Sequence, residues 1–175
     1  MKGGATAFVF FLAIVADLAI PSIVVPGSIL AAYPVQPRFF LAALTLYAAF
    51  RGSRAGAAAG ALGGAVIDVA FGRAFGPNAL FYAAWGGVVG EARRAVYRNA
   101  FTLSGIGAVG AVLYDAYFFG LFRLFRWTEA SWDTLFFRQA LWEFWLTAAV
   151  VALGYGPARR WEAAGGGPDG GEEGA

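Results

Sequence analysis

Ala55-Gly-Ala-Ala-Ala-Gly60-Ala-Leu-Gly-Gly64-Ala-Val-Ile-Asp68-Val-Ala-Phe71 is an unbroken apolar segment that contains one carboxylate. Within and around it, Gly52, Gly56, Gly60, Gly64, Asp68, Gly72 and Gly76 recur at every fourth residue. Residues four apart share a helix face, so these positions form a stripe with almost no side chain. Such a stripe lets a second backbone approach closely in lipid, where dispersion packing replaces the hydrophobic effect as the force between helices. A carboxylate at membrane depth costs about 2.5–3.5 kcal/mol on insertion scales. The stretch therefore predicts an all-α, polytopic membrane protein centred on helix packing, with one expensive polar group set into it.

Two readings of the ladder stay open, packing within the chain and contact with a partner helix. A spacing of four drifts about 40° per step on a 3.6-residue helix. Over six steps the stripe winds through most of a turn, which predicts contact with more than one neighbour. On that ground the third helix is expected to be the central packing element.

Composition agrees with the class. The chain has 175 residues, 59% hydrophobic and 14% charged, against about 25% charged in soluble domains. Cysteine and histidine are both absent, which removes disulfides, Cys/His metal sites and every Ser-His or Cys-His relay. No cofactor and no enzymatic activity are expected. The net charge of +2 contains no basic run dense enough for nucleic acid.

Six membrane spans are expected, at about Ala5 to Val25, Val35 or Phe39 to Phe50, Ala55 to Phe71, Ala79 to Gly90, Ala100 to Phe122 and Thr134 to Tyr155. The first is too long for the 7–15-residue apolar region of a signal peptide, so it reads as a retained span. Residues 1–161 form the membrane domain, and the acidic, Gly-rich stretch 162–175 is expected to be disordered. Lys2, Arg51, Arg54, Arg93, Arg94, Arg98, Arg159 and Arg160 fall on one side of this layout, against Arg38, Arg73, Arg123 and Arg126 on the other. The positive-inside rule then puts both termini in the cytoplasm, with Arg93, Arg94 and Arg98 placed to meet anionic lipid.

Asp17, Asp68, Asp115 and Glu143 lie within the expected spans, and Arg138 and Gln139 sit on the sixth. Intramembrane ionisable groups face a bundle interior, a cavity or a partner. These could line a transport path, pair with Arg138 and interfacial arginines, or sit at the water interface. Gln139 and Glu143, four apart, share a face that could bind another helix, while Arg138 also reads as a snorkelling interface anchor.

Three segments carry a family resemblance: Pro37-Arg38-Phe39-Phe40-Leu41, then Arg51-Gly52 through Gly60-Ala-Leu-Gly-Gly64-Ala-Val-Ile-Asp68, then Gly76-Pro77-Asn78-Ala79-Leu80. Together they resemble the rod shape-determining protein MreD family, best over residues 34–95. In fold that family is similar to the S-components of energy-coupling-factor vitamin transporters. The resemblance implies a non-enzymatic scaffold of the bacterial inner membrane that supports cell shape and peptidoglycan synthesis. It implies MreC as the partner, through its transmembrane helix, within an assembly holding RodA, a class B penicillin-binding protein and MreB. Gly52 to Gly76 and Asn78 would then serve helix packing or the partner interface. A vitamin-binding transporter subunit is the alternative. Against it, Ala5, Ala7, Ala13, Ala16 and Ala19 of the first span include no pair four apart, whereas S-components commonly dock through such a pair.

Overall fold

The computed structural model describes residues 2–24, 38–71, 76–95, 97–126 and 141–165. These form six helices and no strand: α1 Lys2–Val24, α2 Phe39–Arg51, α3 Ser53–Phe71, α4 Pro77–Ala92, α5 Ala100–Leu124 and α6 Leu141–Gly165. By length and composition α5 is long and apolar enough to cross a membrane, and shorter apolar stretches occupy Ala7–Asp17 and Phe39–Arg51.

The centre of the bundle is α2, not α3. Its sequence FFLAALTLYAAF has no charge between Arg38 and Arg51 and offers apolar side chains around its whole circumference, the pattern of a helix enclosed by others. Phe40, Leu41, Leu44, Thr45 and Ala48 are fully buried. Phe10 of α1 meets Phe40 at a tilt and Tyr47 edge-on, and Phe40 meets Tyr82 of α4 edge-on. Thr45 accepts a hydrogen bond from the Trp85 indole of α4 (3.0 Å). Leu46 meets α6 at Gly154, and Phe50 meets it at Tyr155. The expectation of a central third helix fails for a simple reason. A helix with small residues on one face lacks the bulk to fill the space among several neighbours. The far side of α3, with Leu62 72% and Val69 68% exposed, is uncovered.

The turn from α2 to α3 is one residue long. Gly52 stands at φ +92° and donates to the Ala48 carbonyl (2.8 Å), a left-handed helix end that a side chain would strain. The chain then doubles back as α3, which is zipped to α4.

The ladder meets a second ladder. A side chain added at Gly56 would strike the Gly86 carbonyl, at Gly60 the Tyr82 carbonyl, and at Gly64 the backbone of Asn78 and Ala79. At Gly90 it would strike Ser53, and at Gly52 it would press on the Arg93 guanidinium, which reaches back to the Phe50 carbonyl (3.4 Å). The opposing positions Asn78, Tyr82, Gly86 and Gly90 are themselves four apart, so two every-fourth stripes run antiparallel. The expected contact with more than one neighbour is met at Gly56, which also abuts the Ala48 Cβ of α2; the rest of the contact follows α4, because a partner lying along the i±4 ridge of a helix follows the drift of that ridge. Gly63, off the ladder, makes room for the Phe40 ring of α2. Gly72 lies outside the described residues, and Gly76 belongs to the N-cap of α4, at φ +119°.

Antiparallel to each other, α5 and α6 close the remaining side. Gly107 sits under Val151 and Gly110 under the Trp85 ring. The Tyr155 hydroxyl donates to the Arg98 carbonyl (2.7 Å). Asn99 caps α5 by accepting from the Thr102 N–H (2.7 Å). Several boundaries differ from expectation by a few residues, and two of them have a local cause. Pro77 at the first position lets α4 begin two residues early. Continuing past Tyr155 and through Pro157, α6 reaches Gly165, because good helix formers follow the proline and Glu162 reaches Arg98 at 3.7 Å. Residues 162–165 of the expected tail are therefore helical, while 166–175 lie outside the described residues.

Candidate functional site: a polar network joining the helices

The ladder-bearing helix and its neighbours alternate in direction, so α1, α3 and α5 finish at the end of the bundle where α2, α4 and α6 begin. That end concentrates unsatisfied backbone donors, since the first turns of α2 and α4 have N–H groups with no intrahelical partner. Two aspartates supply the acceptors from the preceding helices. Asp17 of α1 accepts from the N–H groups of Phe39 (2.7 Å) and Phe40 (2.9 Å). Asp68 of α3 accepts from the N–H groups of Gly76, Asn78 and Ala79 (3.0–3.1 Å) and from the Asn78 amide (2.9 Å). Pro77, between those donors, has no N–H to satisfy. Each carboxylate also lies at the positive end of the helix dipole it caps.

Between the two caps stands Arg38, the N-cap residue of α2. Its Nη2 donates to Asp115 Oδ1 of α5 (2.9 Å) and its Nε to Glu143 Oε2 of α6 (3.3 Å). The guanidinium carbon lies 4.2 Å from the centroid of the Tyr114 ring, a cation–π distance. Tyr114 donates its hydroxyl proton to Asn78 Oδ1 (2.6 Å), and Asn78 passes the chain on to Asp68. One path of polar contacts thus joins α2 to α6, and Asp17 ties α1 to the α2 backbone beside it. Arg38 is the part that the sequence reading left among the boundary residues.

The side chains of Asp115 and Glu143 are 5% and 0% exposed. Both carboxylates contact the Arg38 guanidinium, and Asp115 Oδ2 and the Thr147 hydroxyl have no hydrogen-bond partner among the described residues. Burying such a pair is expensive, and it repays that cost mainly by fixing geometry. Here the geometry fixed is the register of α2, α5 and α6. Arg138 and Gln139 fall outside the described residues; among the described residues the arginine that contacts these carboxylates is the interfacial Arg38. Among the described residues no group of acidic side chains is arranged to hold a metal ion.

Fold and site together define an all-helical packing protein, in which intramembrane-type carboxylates act as helix caps and as anchors for one arginine. Residues 4–155 match the family described as rod shape-determining protein MreD. The chain belongs to that family, which is a membrane-associated family of structural, shape-determining proteins and not a known enzyme family. The match extends beyond the 34–95 core of the resemblance to α1, α5 and most of α6. No curated protein and no solved structure matches the chain.

Proposed function

We propose that this protein is a six-span scaffold of the bacterial inner membrane, with both termini cytoplasmic, that holds the transmembrane helix of MreC for the cell-elongation assembly. RodA, a class B penicillin-binding protein and MreB would complete that assembly. The observation that carries a scaffold reading is the use of the four carboxylates, each of which binds a donor of the chain itself. A group spent on a helix cap or on Arg38 holds the bundle rigid and is not free to pass a substrate. Phe8, Phe11, Leu62, Leu80, Val88, Phe101 and Leu153 are exposed on five different helices, an outer surface suited to lipid.

Gly56, Gly60 and Gly64 are taken up by α4, which favours a partner face elsewhere. Small residues remain uncovered on α5. Nothing lies within 4 Å of a side chain added at Gly105 or Gly120, and Gly105, Val109, Leu113, Ala116 and Gly120 share one face within about 80° of arc. A partner helix approaching that stripe would gain the close contact that small residues allow in lipid. Gly105→Leu is therefore expected to leave the melting temperature of the detergent-purified protein within about 2 °C while cutting co-purified MreC at least fivefold. Normal MreC recovery with this variant and with Gly120→Leu would move the partner to another face. Failure of the unmodified protein to retain cognate MreC would end the scaffold reading.

A further inference from the structure

Against α2, α1 packs along a narrow line through Phe10, Ala13 and Asp17, leaving a wedge between itself and α6. This wedge is a lateral groove of about 450 Å³, walled by apolar residues such as Leu12, Ala43, Leu46 and Val150. It ends at Arg51, Trp161 and Glu162, the basic end of the bundle. The geometry points to a site for one phospholipid of the amine-bearing, zwitterionic class, its acyl chain in the groove and its headgroup at that rim.

Size and charge choose the occupant. The groove follows α2 from Phe39 to Arg51, about 18 Å at 1.5 Å per residue. That length and an apolar wall open along one side suit an extended acyl chain lying in the groove. At the rim, Arg51 is exposed and makes no ion pair among the described residues, so it offers a donor fork to a phosphate. Glu162 stands on the same rim with one long contact, to Arg98 at 3.7 Å, and can accept from a primary ammonium. Trp161, 38% exposed, has the amphipathic ring found at headgroup level. A cation and an anion at one mouth match phosphate and ammonium together.

This inference rests on the membrane placement, not on the partner face on α5. The test is native mass spectrometry of the full chain in mixed micelles doped equally with phosphatidylethanolamine and phosphatidylglycerol. The unmodified protein should carry one phosphatidylethanolamine in at least tenfold excess over phosphatidylglycerol. Arg51→Gln, on the surface and harmless to folding, should lower that occupancy at least tenfold. Glu162→Gln should erase the preference while keeping lipid bound, and Ala43→Trp should block both lipids. Equal retention of the two lipids by the unmodified protein overturns the headgroup assignment. Occupancy unchanged by both Arg51→Gln and Ala43→Trp overturns the site. Either failure leaves MreC recovery as a separate readout.

Discussion

Gly60→Leu is expected to prevent this protein from accumulating as a monodisperse species in detergent. The position faces the Tyr82 carbonyl so closely that even a methyl group has no space, and the obstacle is backbone, which no rotamer change can move. Overpacking a core costs about 1–3 kcal/mol where side chains can yield. Here the two helices must separate along their length, so the loss should lie at or above the top of that range. Gly60→Ala should fall between Gly60→Leu and the unmodified protein. The internal control is Gly105→Leu, the same change on a helix where nothing lies within 4 Å. Size-exclusion profiles and melting curves of the pair check the prediction. Equal behaviour of the two leucine variants would mean that α3 and α4 are not zipped.

Arg38→Ala carries the second large effect. It removes the cation that Asp115 and Glu143 share, and their side chains are 5% and 0% exposed. Removing one partner of a buried ion pair typically costs about 3–5 kcal/mol, and loss of the Tyr114 stacking contact adds to this. Arg38→Lys should recover only part, because an ammonium lacks the planar fork that reaches both carboxylates. The variant Arg38→Met with Asp115→Asn and Glu143→Gln should recover most of the loss, since it removes charges together and strands none. Reversible unfolding in mixed detergent measures all three. An Arg38→Ala variant within about 0.5 kcal/mol of the unmodified protein would show that the ion pairs contribute nothing.

These two variants also mark what the sequence could and could not disclose. The every-fourth spacing of glycine is a local periodicity, and it correctly located a helix with a bare face. Its answering stripe, Asn78-Tyr82-Gly86-Gly90, has the same period. It was missed because two of its members are bulky and meet α3 through their backbone. The central place of α2 was legible too, since twelve consecutive uncharged residues of all-round apolar character imply burial on every side. The eye goes instead to the glycine-rich neighbour. Arg38 was beyond reach of any periodicity, because its two carboxylates lie 77 and 105 residues away. At the sequence level it looks like any arginine at a helix boundary. Asp17 and Asp68 read as intramembrane charges, whereas apart from the Asn78 amide their partners are backbone N–H groups, which leave no trace in residue identity.

Absence of cysteine from the chain makes one measurement especially direct. A side chain added at Gly87 of α4 stands 3.7 Å from the Ala57 Cβ of α3, and disulfides join Cβ atoms about 3.8 Å apart. Ala57→Cys with Gly87→Cys should close a disulfide under mild oxidation in the membrane, seen as a reducible mobility shift in nearly all of the full-length protein. Ala57→Cys with Gly105→Cys should not. If the first pair stays reduced under conditions that oxidise other neighbouring cysteines, α3 and α4 are not in contact along the ladder, and the architecture described here is wrong.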